Sequence, residues 1–537
     1  MTQARWWYPA LLGAAALFLI ALFSTPIADT DLWWHLATGR YIAAHHKLPV
    51  PDPFAYTTAH AGSAYPGEET TRRFNLTHEW LSEVLMYALY SVAGFPGLVF
   101  WRVALLLAIC GVAAWIVWRR TGGFYRALAA AMGCATLLAA AGFRTDRPYL
   151  ISFLLLGITI AVLESGRRLW LLPVILLIWA NCHGGFFLGW LAIGAYVITA
   201  QPPRRQLWIW GAAAVLISGL NPNGFLIVPV LISYRSSFLT STLLEWSGTP
   251  IWPPQAYSIL LAAGLAALLW ARRRARLADW LLFIAFAAAS LTAQRNIPLV
   301  AFFAPIVIAS YWPWKRTWPG LAAAALIAFF LITPLRAGIL QFRPALWKYP
   351  AGAADFVLAH NLPGPVYNTY EWGGYLIWRL WPRYQVFIDG RALSENVFKD
   401  YASILYDHPD PGRPTPQQLL DKYGVNTVIM GGFEYTTGNL YKQAVHLGWT
   451  LVYHDETALV FTRGPASGDA TASIETECAV HIERDPQLPR CARKLGEYFS
   501  QIHDFQRARQ WVGIYLSHVP AGADPEAEEA FRRLAGF

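Results

Sequence analysis

Apolar runs of roughly membrane-spanning length alternate with short polar connections from residue 8 to residue 335. A span needs about 20 apolar residues, and somewhat fewer where the helix is buried among other helices. The pattern therefore predicts a polytopic α-helical membrane protein with about eleven spans in a domain of residues 1–336. The predicted spans are 8–28, 97–118, 122–142, 149–165, 169–181, 184–200, 207–221, 257–271, 278–293, 297–313 and 318–335. A further apolar segment, 224–234, is predicted to be a half-buried helix.

Basic residues mark one side of this arrangement. Clusters of arginine or lysine follow every even-numbered predicted span, and Arg5 precedes the first span. Because cytoplasmic loops are enriched in Lys and Arg, the clusters predict the orientation of the chain in its membrane. We expect that membrane to be a bacterial-type inner (plasma) membrane. The amino terminus would be cytoplasmic, and everything after about residue 336 would be extracytoplasmic. A cleaved signal peptide over residues 1–28 fits less well, because Pro26 would stand at the −3 position of the cleavage site.

The pattern changes near residue 343, where short apolar stretches between turn residues replace the long runs. These stretches predict a small extracytoplasmic α/β domain over residues 343–463. The predicted strands are "GPVYNTY", "YQVFIDGR", "VNTVIM", "TLVYHD" and "TALVFTR". The predicted helices are "PTPQQLLDKYG" and "TGNLYKQAVHLG".

A helical tail over residues 476–537 follows a linker at 464–475. The tail resembles a single tetratricopeptide repeat at Leu495, Gly496, Tyr498, Phe505, Ala508 and Pro520. One repeat does not bury its own core well, so two interpretations stay open: a hairpin packed on the α/β domain, or an arm that binds a protein partner. Cys478 and Cys491 lie in this tail, and a disulfide between them is possible if the compartment is oxidising.

Composition excludes several classes of function. The chain is 55% hydrophobic and 14% charged, which is too apolar for an ordinary soluble protein of 537 residues. The net charge of +9 comes with arginines between apolar runs, which indicates membrane topology rather than a nucleic-acid surface. The motifs GxxxxGK(S/T), HExxH and GxSxG do not occur in the sequence, which argues against an ATP-driven pump, a zincin and a lipase.

Unusual polar residues gather on the predicted outer side, beginning in a first loop of about 29–96. Asp31 and His35 are four residues apart and share a face if the segment is helical. Trp33 and Trp34 would anchor that helix at the level of the lipid headgroups. A carboxylate at the lipid boundary can act as a general base toward a hydroxyl or amide. Asp31 is therefore the predicted base, and a helix cap or a salt bridge is its alternative role.

Arginines of the neighbouring outer loops complete the predicted chemistry. Arg144 and Arg147 flank Asp146 in a very short loop, and Arg295 lies in a later loop. The three arginines are predicted to bind the donor phosphate as charge develops on it. The alternative for the short loop is an ion cluster that satisfies itself.

Four further residues are candidates for a role in the site, and structural alternatives stay open beside that role. Asp29 is a second candidate for a direct role, and otherwise caps the helix that follows it. His35, Glu79 and His183 are predicted to contact substrate, with His183 placed between two spans and followed by glycines that allow close approach. Their alternatives are structural: a hydrogen bond for His35, which could also bind phosphate or metal, and a capping-like role for Glu79.

The layout resembles the GT-C superfamily of integral-membrane glycosyltransferases. "DTDLWWHLATGRYI" (29–42) resembles the first-loop motif of oligosaccharyltransferase catalytic subunits, in which an Asp precedes an aromatic pair and a short amphipathic helix. This resemblance puts Asp31 at the catalytic position, with Asp29 as its rival. "YEWGGYLIW" (370–378) resembles a degenerate WWDYG motif, which implies that Trp372 and Tyr375 contact substrate.

The resemblance also concerns a cofactor. In that superfamily the second outer loop often carries two acids that bind a divalent metal, whereas "FRTDRP" (143–148) offers Asp146 alone. The resemblance thus implies Asp146 as a metal ligand and Mg²⁺ or Mn²⁺ as the candidate cofactor.

The function implied by the resemblance is transfer of a sugar from a polyprenyl-phosphate or polyprenyl-pyrophosphate donor. The acceptor would be a lipid, a glycan or a protein at the outer face of the membrane. Two other classes of function stay open. A non-catalytic membrane scaffold would use the tail as its arm, and would not need the acids and arginines. A lipid or glycan transporter would show charges in mid-span and an internal repeat.

Overall fold

The computed structural model describes residues 7–60, 62–200, 204–313, 340–406, 414–431, 448–455, 457–464, 471–486 and 489–536. The chain forms two compact units. The first contains Met1–Val50 and Tyr65–Ala345, and the second contains Pro51–Ala64 and Leu346–Phe537. The predicted first outer loop is thus divided between the units, because residues 51–64 belong to the second.

The described part of the first unit is built from helices, as its apolar runs predict. The α-helices are α1 (Trp7–Phe23), α2 (Leu32–His45), α3 (Glu68–Asn75), α4 (Trp80–Thr121), α5 (Phe124–Ala140), α6 (Tyr149–Ser165), α7 (Leu171–Cys182), α8 (Phe187–Thr199), α9 (Arg205–Ile217), α10 (Ile227–Ser233), α11 (Phe238–Thr242), α12 (Ala256–Trp270), α13 (Leu277–Thr292) and α14 (Ile297–Tyr311).

Helix length decides how much of the predicted topology the structure supports. Within the described residues, one helical stretch, Glu68–Thr121, is long and apolar enough to cross a membrane by length and composition. Other apolar helices in the described residues are 10–17 residues long. The count of eleven spans therefore stays a prediction, and the last predicted span, 318–335, lies outside the described residues.

The long helix α4 organises the first unit, since α2, α5 and α6 all pack against it. It contains one non-helical residue, Gly94, at φ 60°, and Pro96 lies two residues further on. Glycine tolerates this conformation and proline interrupts the helical hydrogen bonds. The break explains why the sequence places the start of the second span at residue 97.

A glycine on α2 sets the distance between α2 and α4. A Cβ atom on Gly39 would lie 2.1 Å from the backbone oxygen of Glu83, so only glycine fits there. Residues four apart share a helix face, and His35 lies one turn before Gly39. The close packing therefore brings His35 to the first turns of α4.

The second unit contains a four-stranded mixed sheet. Its strands are β1 (Val366–Asn368), β2 (Thr427–Gly431), β3 (Trp449–His454) and β4 (Ala458–Arg463), in the order β1-β2-β4-β3. β1 and β2 are parallel, with Tyr367 opposite Val428, and the other pairs are antiparallel. The helices of this part are α15 (Ala351–His360), α16 (Gly373–Leu380), α17 (Glu395–Tyr406) and α18 (Pro416–Lys422). The predicted helix "TGNLYKQAVHLG" lies outside the described residues.

One predicted strand is wrong. "YQVFIDGR" forms no strand, and its Val386 makes a single bridge with Ala55. The side-chain amide of Asn368 takes the place of a neighbouring strand: its Oδ1 accepts from the Phe387 N–H, and its Nδ2 donates to the Ile388 carbonyl, both at 2.8 Å. Side-chain hydrogen bonds thus satisfy backbone groups that the pattern assigns to a ladder.

The tail is helical, as predicted. Its described helices are α19 (Thr471–Arg484), α20 (Arg490–Gln501), α21 (Phe505–Ser517) and α22 (Pro525–Arg533). A disulfide joins Cys478 on α19 to Cys491 on α20, the bond whose presence the sequence leaves open. The resemblance to a tetratricopeptide repeat stays a prediction.

Candidate active site

Asp29 and Asp31 lie where the chain enters α2. The backbone N–H of Asp31 donates to Oδ1 of Asp29 at 3.0 Å, so Asp29 fixes the turn into the helix. Asp31 occupies the N-cap position, but its side chain makes no capping hydrogen bond. The helix-cap alternative for Asp31 is therefore wrong, and its carboxylate makes contacts elsewhere.

Arg147, from the loop before α6, contacts both acids. Its Nε lies 3.0 and 2.8 Å from the two carboxylate oxygens of Asp29, and its Nη1 lies 2.9 Å from Oδ2 of Asp31. The Asp29 side chain is 2% exposed and the Asp31 side chain 16%. Asp29 is thus the more buried of the two acids, and Asp31 is the more exposed.

The environment separates the pKa values of these two acids. Burial raises the pKa of Asp31 to about 7 against the pull of Arg147, and the negative charges of Asp29 and Glu245 add to the rise. Burial also opposes ionisation of Asp29, but the charge and hydrogen bonds of Arg147 outweigh it and lower the pKa of Asp29. A general base works best with a pKa near the working pH, so Asp31 is the better suited of the two.

A second arginine, Arg295, shares a carboxylate with Arg147. Oε2 of Glu245 lies 3.5 Å from Nη1 of Arg147, and Oε1 lies 3.7 Å from Nη1 of Arg295. The Arg295 guanidinium also lies over the Trp246 ring, 4.2 Å from its centroid. We call Asp29, Asp31, Arg147, Glu245 and Arg295 the Arg147 cluster.

Three histidines surround Glu79, just before α4. Its Oε1 lies 3.5 Å from Nε2 of His78 and 3.4 Å from Nε2 of His183, and its Oε2 lies 3.6 Å from Nδ1 of His35. That same nitrogen of His35 lies 3.3 Å from Oε1 of Glu83. We call His35, His78, Glu79, Glu83 and His183 the Glu79 group; two overlapping sets within it, His78–Glu79–His183 and His35–Glu79–Glu83, could each hold a metal ion.

Burial controls the charges of the Glu79 group. It lowers the pKa of His35 to about 4 and that of His183 to about 3, so both imidazoles are neutral at physiological pH. Burial also opposes ionisation of Glu79, but the nearby histidines outweigh it and hold its pKa below the usual range. Neutral imidazoles and an ionised carboxylate are the forms that bind metals.

The hydrogen bonds of His78 and His183 indicate which of their ring nitrogens could bind a cation. Nδ1 of His78 lies 3.0 Å from the Phe74 carbonyl, which leaves the Nε2 lone pair facing Glu79, as in a metal ligand. His183 differs, because its Nδ1 accepts from the Gly185 N–H at 2.9 Å. Its proton then lies on Nε2, and metal binding there requires the other tautomer, with Nδ1–H donated to the hydroxyl of Ser152 at 2.7 Å. The residues fit a cation with that change of tautomer, which also breaks the hydrogen bond from the Gly185 N–H.

Two predicted site residues have other partners. Oδ2 of Asp146 is bound by Nη1 of the fully buried Arg102 at 2.8 Å, and Arg102 also donates to the carbonyls of Phe23 and Thr25. Nη1 of Arg144 donates to the Leu22 carbonyl at 3.4 Å. These contacts tie the loop before α6 to the end of α1, so the predicted metal role of Asp146 and phosphate role of Arg144 find no support here.

The predicted substrate residues of the second unit are in its core. Tyr375 is 1% exposed and stacks on Tyr349. Trp372 is 9% exposed, and its indole N–H donates to the carbonyl of Lys348. A Cβ atom on the intervening Gly373 would lie 2.1 Å from the Ile388 oxygen, so the segment packs tightly. Both side chains are buried in the fold, and a substrate contact by Trp372 or Tyr375 stays a prediction.

The structure also adds residues without a predicted role. His78, Glu83 and Glu245 lie in contact with predicted site residues. One signal was available: Glu79 and Glu83 are four apart at the start of an apolar helix, where two acids on one face are unusual. For Glu245, the contact partners are distant in sequence, and no local pattern reveals them.

Comparisons with known proteins find a similar fold but no match to a family model or to a curated protein. Among solved structures it is similar to the archaeal oligosaccharyltransferase AglB from Archaeoglobus fulgidus, in complex with an inhibitory peptide and a dolichol-phosphate, with TM-score 0.50 and 11% identity over 86% of this chain and 74% of that chain. It is also similar to ArnT from Cupriavidus metallidurans bound to undecaprenyl phosphate, with TM-score 0.47 and 15% identity over 86% of this chain and all (100%) of that chain. At the level of fold, the similarity to AglB confirms the predicted distant resemblance to oligosaccharyltransferases.

Proposed function

We propose that this chain is an integral-membrane glycosyltransferase. It moves a sugar from a polyprenyl-phosphate or polyprenyl-pyrophosphate donor to a lipid, glycan or protein acceptor at the outer face of the membrane. The observation that carries the proposal is the Arg147 cluster, in which Asp31 is partly exposed, bound to Arg147 and raised in pKa to about 7. The fold similarity to AglB, whose structure holds a dolichol-phosphate, supports a lipid-linked donor.

Asp31 is the general base of the proposed reaction. Its carboxylate takes the proton of the acceptor hydroxyl or amide as the acceptor atom attacks the anomeric carbon of the sugar. The bond between that carbon and the phosphate oxygen breaks, and the lipid phosphate leaves with the electron pair. Asp29 holds the turn and the Arg147 guanidinium, so it is a positioning residue.

Arg295 and Arg147 have different roles in the proposed reaction. Arg295 stabilises the negative charge on the leaving phosphate, because its contact with Glu245 is long and its side chain is 37% exposed. Arg147 is bound tightly by Asp29 and Asp31, so its main effect is to orient the base. A positive guanidinium beside the leaving group still favours the departing charge.

A divalent cation would fit the Glu79 group, with His78, Glu79, His183, His35 and Glu83 as candidate ligands. Imidazole ligands favour Zn²⁺ and related transition metals, whereas all-oxygen sites favour Mg²⁺; we therefore propose Zn²⁺ or Mn²⁺ ahead of Mg²⁺. Such an ion supplies positive charge that neutralises a phosphate group. In this proposal His35, Glu79 and His183 act as ligands rather than direct substrate contacts.

The second unit is proposed to lie outside the cytoplasm. The disulfide between Cys478 and Cys491 supports this placement, since disulfides persist in oxidising compartments and are rare in the cytosol. The tail is the candidate site for a protein partner.

A transfer assay on the purified chain in lipid nanodiscs tests the proposal. It offers a panel of radiolabelled polyprenyl-phosphate and polyprenyl-pyrophosphate sugars, with and without Mn²⁺ or Zn²⁺, to the wild type and to Asp31→Asn. We expect release or transfer of sugar by the wild type and its loss in Asp31→Asn. Loss only in Asp29→Asn would keep the class of enzyme and move the base. No turnover of any donor would favour the scaffold or transporter.

A further inference from the structure

The carboxylate of Glu245 lies between the two arginines that face the proposed phosphate site. Each of its oxygens contacts a different guanidinium, at 3.5 Å for Arg147 and 3.7 Å for Arg295. Charge-assisted hydrogen bonds between guanidinium and carboxylate are shorter, at about 2.7–2.9 Å. Arg147 makes contacts of that length with Asp29 and Asp31 in the same cluster. Glu245 is therefore held more weakly than either of the other acids.

Exposure indicates the same weakness. The Glu245 side chain is 44% exposed, against 2% for Asp29 and 16% for Asp31. Exposed ion pairs contribute little free energy, because water and salt screen them. An anion that arrives from solvent or from the lipid surface can compete for these arginines at Glu245 more easily than at the buried acids.

The backbone around Glu245 is held by contacts that do not involve its carboxylate. Glu245 lies in a single 3-10 turn, Leu244–Trp246. The next residue, Ser247, accepts from the backbone N–H of Gln294 at 3.0 Å, and its hydroxyl accepts from the Gln294 side chain at 2.9 Å. The Trp246 ring lies against the Arg295 guanidinium. Arg295 thus has a contact that does not depend on the Glu245 carboxylate.

We propose that Glu245 is a placeholder anion: its carboxylate neutralises Arg147 and Arg295 in the resting protein and is displaced by the phosphate of a polyprenyl phosphate. Carboxylate and phosphate oxygens compete for guanidinium groups because both accept the same planar N–H donors. This inference rests on the proposed function and adds a regulatory step to its phosphate site. Because the leaving group is itself a lipid phosphate, the returning carboxylate also promotes product release.

If Glu245 is a placeholder anion, removing its charge strengthens the binding of a lipid phosphate. We would measure the dissociation constant of undecaprenyl phosphate for the full chain in nanodiscs, for the wild type and Glu245→Gln. Glu69→Gln is the matched control, because Glu69 is an exposed acid of the same unit and the change in charge is identical. Glu245→Gln is expected to bind several-fold to tenfold tighter, and Glu69→Gln to bind like the wild type.

A second variant separates displacement from a general change in surface charge. Arg295→Gln alone weakens binding, and added to Glu245→Gln it removes most of the gain. Equal or weaker binding by Glu245→Gln, with an unchanged melting temperature, would overturn the placeholder and leave the proposed function intact. If neither the wild type nor Glu245→Gln binds undecaprenyl phosphate, the proposed phosphate site fails and the placeholder with it.

Discussion

Two charged clusters lie at opposite ends of the helices in the first unit, and they differ in balance. The cluster at the far end of α4, which we call the Arg120 cluster, consists of two arginines and two acids, Arg120, Glu164, Arg276 and Asp279. Arg120 lies 2.9 Å from Asp279 and 2.5 Å from Glu164, and Tyr311 and Tyr196 donate to the acids. Its charges cancel, and its two acids are at most 7% exposed.

The other end has an excess of acids. The Arg147 cluster and the Glu79 group together contain five carboxylates and two arginines: Asp29, Asp31, Glu79, Glu83 and Glu245, with Arg147 and Arg295. The two sets influence each other, because the charges of Arg147 and Asp29 act on the pKa of His35. A buried cluster whose charges cancel stabilises the packing of helices. A cluster with an excess of acids needs a proton, a metal ion or a cationic substrate to offset its negative charge. We therefore expect mutations at the two ends to separate stability from activity.

The largest effect is expected from Arg147→Gln, which should reduce stability and activity together. It leaves the buried Asp29 without its cation, and removing one partner of a buried pair costs about 3–5 kcal/mol of unfolding free energy. It also releases Asp31 from its orientation, so transfer falls together with stability. Thermal unfolding and turnover in nanodiscs check both. A variant as stable as the wild type would show that Arg147 does not anchor the turn.

Asp279→Asn should affect stability alone. Asp279 is fully buried and accepts from Arg120 and Tyr311, so its neutralisation leaves a buried guanidinium underpaired. The expected loss is about 3 kcal/mol of unfolding free energy, with turnover per folded molecule unchanged. The free energy is measured by denaturant titration and the turnover on the folded fraction. Loss of turnover without loss of stability would contradict the structural role of the Arg120 cluster.

Glu79→Gln tests whether the excess of acids at this end binds a metal ion. Glu79 belongs to both candidate metal sets, and a neutral amide is a poorer ligand than a carboxylate. We expect about 10–100-fold weaker binding of Zn²⁺ or Mn²⁺, measured by titration calorimetry on chelator-treated protein. The exposed Glu69→Gln is again the control. Equal metal affinity in all three proteins would remove the Glu79 group as a metal site.

The smallest effect is a shift in the pH profile of transfer. Asp31 acts as a base only when ionised, and its pKa is raised to about 7, so the rate falls about tenfold per pH unit well below pH 7. Glu245 contributes to that rise through its negative charge. In Glu245→Gln the acidic limb therefore moves to lower pH. A limb that stays in place, or moves upward, would show that Glu245 does not act on Asp31.

Local patterns predict most of the fold, since the apolar runs of the described part are helical and four predicted strands are present. They fail at "YQVFIDGR", where the Asn368 side chain replaces a strand partner, a contact that no local pattern contains. In the candidate site the pattern identifies Asp29, Asp31, Arg147 and Glu79, because charges beside apolar runs are rare. It does not identify partners. Asp146 pairs with Arg102 instead of lying in the candidate site, and Glu245 contacts Arg147 of that site. Both contacts join residues that are distant in sequence, so no local pattern predicts them.

The central claim is that Asp31 is a catalytic base and the Arg120 cluster is structural. The most direct measurement is the rate at which Asp31→Asn and Asp279→Asn release lipid phosphate from a polyprenyl-linked sugar that the wild type turns over, per folded molecule. We predict that Asp31→Asn keeps the wild-type melting temperature and loses about 10²–10⁴-fold in rate, while Asp279→Asn melts earlier and keeps its rate. A wild-type rate in Asp31→Asn would contradict the account.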